Sequence, residues 1–137
     1  MSKLLVADSG LPLYQQEALR AVTGETIRPG GFALTDRAMA LCKMTEGGKV
    51  LDVGCGTGAS VRYLRKKYHL HAVGLDASAG LLLEGHESNP EIPLARATAS
   101  SMPIGDGRLA GILCECVLSL TCDPLAVLRE FHRTSCI

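Results

Sequence analysis

The stretch from Lys49 to Arg65 constrains the fold more than any other part of the chain. Its start, Lys49-Val50-Leu51, reads as a buried strand. Asp52-Val53-Gly54-Cys55-Gly56-Thr57-Gly58 follows, and Ala59-Ser60-Val61-Arg62-Tyr63-Leu64-Arg65 spaces its apolar side chains as a helix does. Glycines in such a turn reach backbone conformations closed to other residues and let a ligand approach the main chain, while the unpaired N–H groups of the first helical turn face it. Strand, glycine-rich turn and helix N-terminus in that order predict a cofactor site.

The rest of the chain supplies a matching frame. Strands are expected at about 49–53, 71–75, 92–96 and 110–116, and helices at about 58–67, 78–86 and 123–133. This alternation predicts a doubly wound α/β sheet of parallel strands in the order 3-2-1-4, with right-handed crossovers placing the helices on alternate sides. Before it, Leu11, Tyr14, Ala18 and Val22 suggest an amphipathic helix over 11–23, and Gly24 to Gly31 a loop. A second helix would be capped by Thr35 or Asp36, with Leu34, Ala38, Leu41 and Cys42 as its apolar face. The expected organisation is one domain, with residues 1–46 as a helical lead-in or cap and 47–137 as a partial Rossmann-like core. A doubly wound nucleotide-binding sheet has about six strands. Four strands therefore read as the first part of a larger fold, and the fourth as an exposed edge open to pairing or homodimerisation.

Composition excludes several classes. The 137 residues carry 14 basic and 14 acidic side chains, against the clearly basic balance of most small nucleic-acid-binding modules. Arg62-Tyr63-Leu64-Arg65-Lys66-Lys67 reads instead as the solvated end of a helix. The longest apolar stretch, Leu109 to Leu120, is broken by Glu115 and falls short of the ~20 residues that span a bilayer. The N-terminus lacks a signal-peptide core, so the expected location is cytoplasmic. Six cysteines in such a compartment are reduced thiols. Cys114, Cys116 and Cys122 match no standard zinc spacing, and small buried hydrophobes are the simpler reading of them. No resident metal is expected. His69 and His71 read as surface residues.

Gly54-Cys55-Gly56-Thr57-Gly58-Ala59 satisfies the dinucleotide pattern G-x-G-x-x-[GA], and Asp76 lies about 22 residues after Gly54. Asp52, two residues before the first glycine, separates the possibilities. A carboxylate there repels a pyrophosphate and attracts a cofactor bearing a cationic amino group.

Asp52 to Gly58 resembles the first motif of the class I S-adenosylmethionine-dependent methyltransferases, and Val73-Gly74-Leu75-Asp76-Ala77-Ser78 resembles their second. The similarity covers about residues 47–133 and is closest to the methyltransferase type 11 group. Arg28-Pro29-Gly30-Gly31 with Leu34-Thr35 resembles the lead-in of a bacterial subset of these proteins. The resemblance implies S-adenosylmethionine as cofactor, a small-molecule methyl acceptor, and a chain short of the family's seven strands.

It also implies roles. Asp52 would sit near the methionyl amino group, and Gly54, Cys55, Gly56 and Gly58 would let the loop pass close to the methionine and ribose. Asp76 would accept both ribose hydroxyls, Ala77 and Ser78 would flank the adenine, and Cys114 and Glu115 would meet the methionyl end through backbone groups. Two positions depart from the family pattern. Thr98, in Arg96-Ala97-Thr98-Ala99, replaces an acid that bonds the adenine amino group, and Ala110 replaces an acid at the start of the fourth strand. Asp52 and Asp76 could each instead cap the following helix, and Glu115 could line the cofactor mouth or face solvent. A cofactor-binding module without catalysis and a metalloid methyltransferase using Cys114, Cys116 and Cys122 are the alternative functions.

Overall fold

The computed structural model describes residues 30–136. Four parallel strands, β1 (Lys49–Val53), β2 (His71–Asp76), β3 (Leu94–Arg96) and β4 (Gly111–Leu113), form one sheet in the order β3-β2-β1-β4. Helices α1 (Ala33–Cys42), α2 (Ala59–Tyr68), α3 (Ala79–Ser88) and α4 (Pro124–Thr134) complete the layers. This is the Rossmann-like arrangement expected from the sequence. The helix expected at 11–23 lies outside the described residues.

β1 is the central strand and is buried from Val50 to Val53. Successive side chains point to opposite faces. Val50 therefore joins Val61 and Leu64 of α2, Met39 of α1 and Ala72 of β2, while Leu51 and Val53 join Leu75, Met102 and Leu109. Fully burying each such Leu or Val stabilises the fold by about 1.5–3 kcal/mol. A strand covered on both faces reads as a continuous apolar run, which is why β1 was legible.

The helices do not alternate sides one by one. α2 and α3 contribute Val61, Leu64 and Leu82 to the first cluster, whereas Phe131 of α4 packs on the second. The steps β1 to β2 to β3 run in one direction, so right-handed crossovers keep α2 and α3 on one face. The return past β1 to β4 reverses direction and carries α4 to the other. The basic cluster is the last turn of α2, containing Arg65, Lys66 and Lys67, and the helix closes on His69 in a left-handed conformation with φ 51°. Cations there suit the helix dipole.

α1 differs from its expected form. It begins at Ala33, so Thr35 and Asp36 lie in its first turn, and its N-cap residue Phe32 makes no side-chain cap bond. Thr35 and Met39 are buried, while Leu34 and Leu41 are 50% and 74% exposed and Cys42 is exposed. Polar contacts decide this orientation. The Asp36 carboxylate accepts from Tyr68 Oη at 2.6 Å, Tyr63 Oη at 2.7 Å and Lys67 Nζ at 2.9 Å, and Phe32 stacks on Tyr63 with ring centroids 4.0 Å apart. α1 is thereby fastened to α2.

β4 is shorter than expected. Its ladder to β1 ends at Leu113, and Cys116 adopts φ 60°, which takes the chain out of extended geometry and into a short 3-10 turn at Leu118–Leu120. The outer edge is covered at its start. The Leu109 N–H donates to Thr134 O and the Cys136 N–H to Leu109 O, each at 2.9 Å, in a parallel bridge between Leu109 and Ser135. The loop before β4 is held to α4 by Glu130, which accepts from the Met102 N–H at 2.7 Å. Arg133 adds bonds to Ile104 O and Asp106 at 2.8 and 2.7 Å.

Candidate functional site

A cleft of about 550 Å³ opens at the C-terminal ends of the strands. β1 ends in Asp52 and Val53, and Gly54, Cys55, Gly56 and Thr57 form the turn into α2. Gly54, Gly56 and Gly58 have φ of 76°, 57° and 86°, the left-handed region that glycine enters without steric cost. Gly58 is the N-cap of α2 and makes no side-chain cap bond. Asp52 is 5% exposed and lines the cleft.

Asp76 stands at the end of β2, across the turn. Its Oδ2 accepts from the Gly56 N–H and its Oδ1 from the Ser78 N–H, both at 2.8 Å. The cap of α3 is Ser78, whose hydroxyl accepts from the Leu81 N–H at 3.4 Å. Asp76 thus ties the glycine turn of one unit to the start of the next helix while its half-exposed carboxylate borders the cleft. Cys55, between the two acids, is buried. Desolvation and then the charges of Asp52 and Asp76 push its thiol well above the ordinary value, so it is a neutral packing group. Gly74 makes room for it, since a Cβ there would lie 2.6 Å from Cys55 Sγ.

Of the residues the sequence pointed to, Asp52, Gly54, Cys55, Gly56, Asp76, Ala77, Thr98 and Glu115 all line the cleft. Gly58, Ser78 and Cys114 do not. Gly58 is buried beneath the turn, and Cys114 packs with the Leu51–Leu75 cluster, where burial pushes its thiol up. Glu115 lines the cleft, and Thr35 donates its hydroxyl to both carboxylate oxygens at 3.2 and 3.3 Å. Cys116 and Cys122 line the cleft as well, yet among the described residues no group of three or more His, Cys, Asp or Glu side chains is placed to hold a metal. Cys114, Cys116 and Cys122 therefore form no ligand set.

Other walls escaped the sequence reading. Val117, Leu120 and Val127 supply apolar surface from the segment after β4 and from α4, and Leu81 from α3. No motif marks them, because they meet the glycine turn only through the fold. Gly85 had a usable signal, an isolated glycine inside a helical pattern. A Cβ there would press on the Thr57 carbonyl, so this glycine lets α3 reach the turn.

A buried carboxylate, a glycine-rich turn and a second carboxylate at the neighbouring strand end all border one cleft, which suits a cofactor bearing an adenosyl group and a cationic amino acid. A sequence-family model described as a methyltransferase domain matches residues 50–135. The chain belongs to the class I S-adenosylmethionine-dependent methyltransferases.

Relatives of this chain agree on family and fold. It is 34% identical over 113 residues to a phosphoethanolamine N-methyltransferase of Triticum aestivum, a match covering 78% of this chain and 22% of that protein. The crystal structure of MccD protein superposes with a TM-score of 0.71 at 26% identity, covering 78% of this chain and 50% of that one. An S-adenosylmethionine-dependent methyltransferase from Aquifex aeolicus has a TM-score of 0.67 at 20% identity, covering 79% of this chain and 62% of that one, and shows the fold. The chain therefore spans about a fifth of the wheat relative and half of MccD protein. S-adenosylmethionine is the cofactor of the family. Among the described residues, no helix is long and apolar enough to cross a membrane.

Proposed function

We propose that this chain binds S-adenosylmethionine in the cleft at the strand ends and directs its methyl group to a small-molecule acceptor. The observation that carries the reading is the convergence of Asp52 and Asp76 on one cleft, with Gly56 donating its N–H to Asp76 between them. Asp52 would hold the methionyl ammonium, and Gly54, Cys55 and Gly56 would present backbone to the methionine and ribose, with Gly58 setting the start of α2. Asp76 would accept the ribose hydroxyls, Ala77 and Thr98 would border the adenine, and the backbone at Cys114 and Glu115 would meet the methionyl end. Residues 1–46 would act as a lead-in carrying α1 to the site and 47–137 as the cofactor-binding core.

The bound cofactor supplies an already activated methyl group. The chain's own task is to hold donor and acceptor in line and to exclude water. A relative named for N-methylation of phosphoethanolamine favours a small acceptor. Association of two copies through the outer side of β4, beyond the stretch covered at Leu109, is compatible with this role, and a cytoplasmic location would suit the exposed thiols. Isothermal titration is expected to show S-adenosylmethionine binding and no NAD binding; the opposite pattern overturns the assignment. Formation of S-adenosylhomocysteine with an acceptor separates an enzyme from a module that only binds.

A further inference from the structure

The N-terminal ends of the strands, opposite the cleft, gather basic side chains from four elements. Lys43 is the C-cap of α1 and Lys49 opens β1. His71 opens β2 directly beside Lys49 in the parallel register, and Lys66 and His69 finish α2. Backbone bonds bring these pieces together: the Gly47 N–H donates to His69 O at 3.0 Å and the His71 N–H to Gly48 O at 2.9 Å. Paired strands lie about 4.8 Å apart, so Lys49 and His71 are immediate neighbours.

All five side chains are exposed, and among the described residues none of them makes an ion pair or a side-chain hydrogen bond. Lys67, by contrast, is paired with Asp36 at 2.9 Å. Arg65, whose Nη1 donates to Ala72 O at 3.0 Å, adds positive charge to the same end of α2. Glu46 is the one acid in the turn from Lys43 to Lys49. Leu41, in the last turn of α1, is 74% exposed because the bonds to Asp36 fix the other face of the helix against α2.

We infer that this end of the sheet is a docking surface for an anionic membrane, with Lys43, Lys49 and Lys66 facing the lipid headgroups and Leu41 entering the interface beside them. Lysine is a flexible point charge, suited to a diffuse anionic plane, whereas a discrete carboxylate or phosphate is better held by the arginine fork. An exposed leucine next to the cations adds the apolar contact that a membrane interface rewards and a hydrated polyanion does not use. Bases of a nucleic acid stack on free aromatic rings. Phe32 and Tyr63 instead stack on each other at 4.0 Å, and Tyr63 and Tyr68 both donate to Asp36. Docking by the N-terminal strand ends leaves the cleft, at the C-terminal ends, open to solution.

Co-sedimentation of the full chain with sucrose-loaded vesicles tests the surface. Phosphatidylcholine vesicles containing about 30 mol% phosphatidylserine should bind the chain at least about tenfold more tightly than phosphatidylcholine alone, and raised salt should remove most of the difference. Lys43→Gln, Lys49→Gln and Lys66→Gln, taken singly, should each lower the partition coefficient about fivefold at an unchanged melting temperature. The triple Lys→Glu variant should lose the preference for phosphatidylserine; if it does not fold, the single variants decide the matter. Leu41→Ser should weaken vesicle binding severalfold and leave binding to a soluble polyanion, poly-L-glutamate, unchanged. Equal binding of wild type to both vesicles overturns the inference, as does a preference that the lysine substitutions leave intact. Tighter binding to poly-L-glutamate or to RNA than to the vesicles, with Leu41→Ser without effect on any of them, assigns the face to a soluble polyanion and overturns it too.

Discussion

Gly54 and Val117 leave no room for a side chain between them: a Cβ on Gly54 would come within 2.8 Å of Val117 Cγ1 and closer still to Cγ2. The glycine turn after β1 is thus pressed against the segment after β4, and two walls of the cleft support each other. Gly56, two residues on, has a similar positive φ and nothing within 4 Å of its Cβ position.

The two glycines should therefore respond differently. Gly54→Ala combines a left-handed backbone with overpacking and is expected to cost about 2–4 kcal/mol. Gly56→Ala carries only the backbone cost of about 1–2 kcal/mol. Urea denaturation of both variants checks the order, and equal losses would show that Val117 moves aside freely.

Asp76 should matter more to ligand binding than to folding. Asp76→Asn weakens the charge-assisted bonds from Gly56 and Ser78 and removes the charged acceptor proposed for the ribose hydroxyls. The expected loss of S-adenosylmethionine affinity is about 1.5–3 kcal/mol, read by calorimetry. Unchanged affinity would restrict Asp76 to tying the turn to α3.

Acid should loosen the contacts that fasten α1 and the loop before β4. Hydrogen bonds from Tyr68, then Lys67 and Tyr63, hold the Asp36 carboxyl at about 2, below its ordinary 3.8. Arg133, then the Met102 N–H, hold Glu130 at about 2 instead of 4.5. Groups whose pKa falls on folding add stability above their unfolded pKa and lose it as pH drops toward the folded value. Denaturation midpoints should fall between pH 4.5 and about 2, less steeply in Asp36→Asn and in Glu130→Gln. Slopes identical to wild type would remove these two groups from the account.

Thiol labelling should map the cleft. Cys116 and Cys122 are exposed on its walls and Cys42 is exposed on α1, whereas Cys55 is buried with its thiol pushed up. Iodoacetamide at mildly basic pH is expected to modify the first three and spare Cys55, because the thiolate is the reactive form. Saturating S-adenosylhomocysteine should slow Cys116 and Cys122 and leave Cys42 unaffected, as mass spectrometry of the peptides would show. Equal protection of all three would point to a global change instead of occupancy of the cleft.

Where local chemistry carries the information, the sequence alone was sufficient. Asp52 to Gly58 and Asp76 lie within one strand–turn–helix unit and its successor, so spacing and residue type define the β1–β2 side of the cleft. Each of those features is enforced by backbone geometry over a few residues. The sequence could not decide what depends on distant surfaces meeting. The face of α1 was misjudged because its Leu34 and Leu41 have helical spacing, yet its orientation is set by Asp36 reaching Tyr63, Tyr68 and Lys67 about 30 positions away. The length of β4 followed from the conformation of Cys116, and the place of Glu115 from a buried hydroxyl 80 residues earlier. Hydrophobic periodicity reports that a face is apolar; which surface covers it is settled only when the chain packs. The sequence by itself thus determined the fold and the cofactor class, and the tertiary structure alone decided the cleft wall after β4, because that wall is assembled from side chains with no local relation to one another.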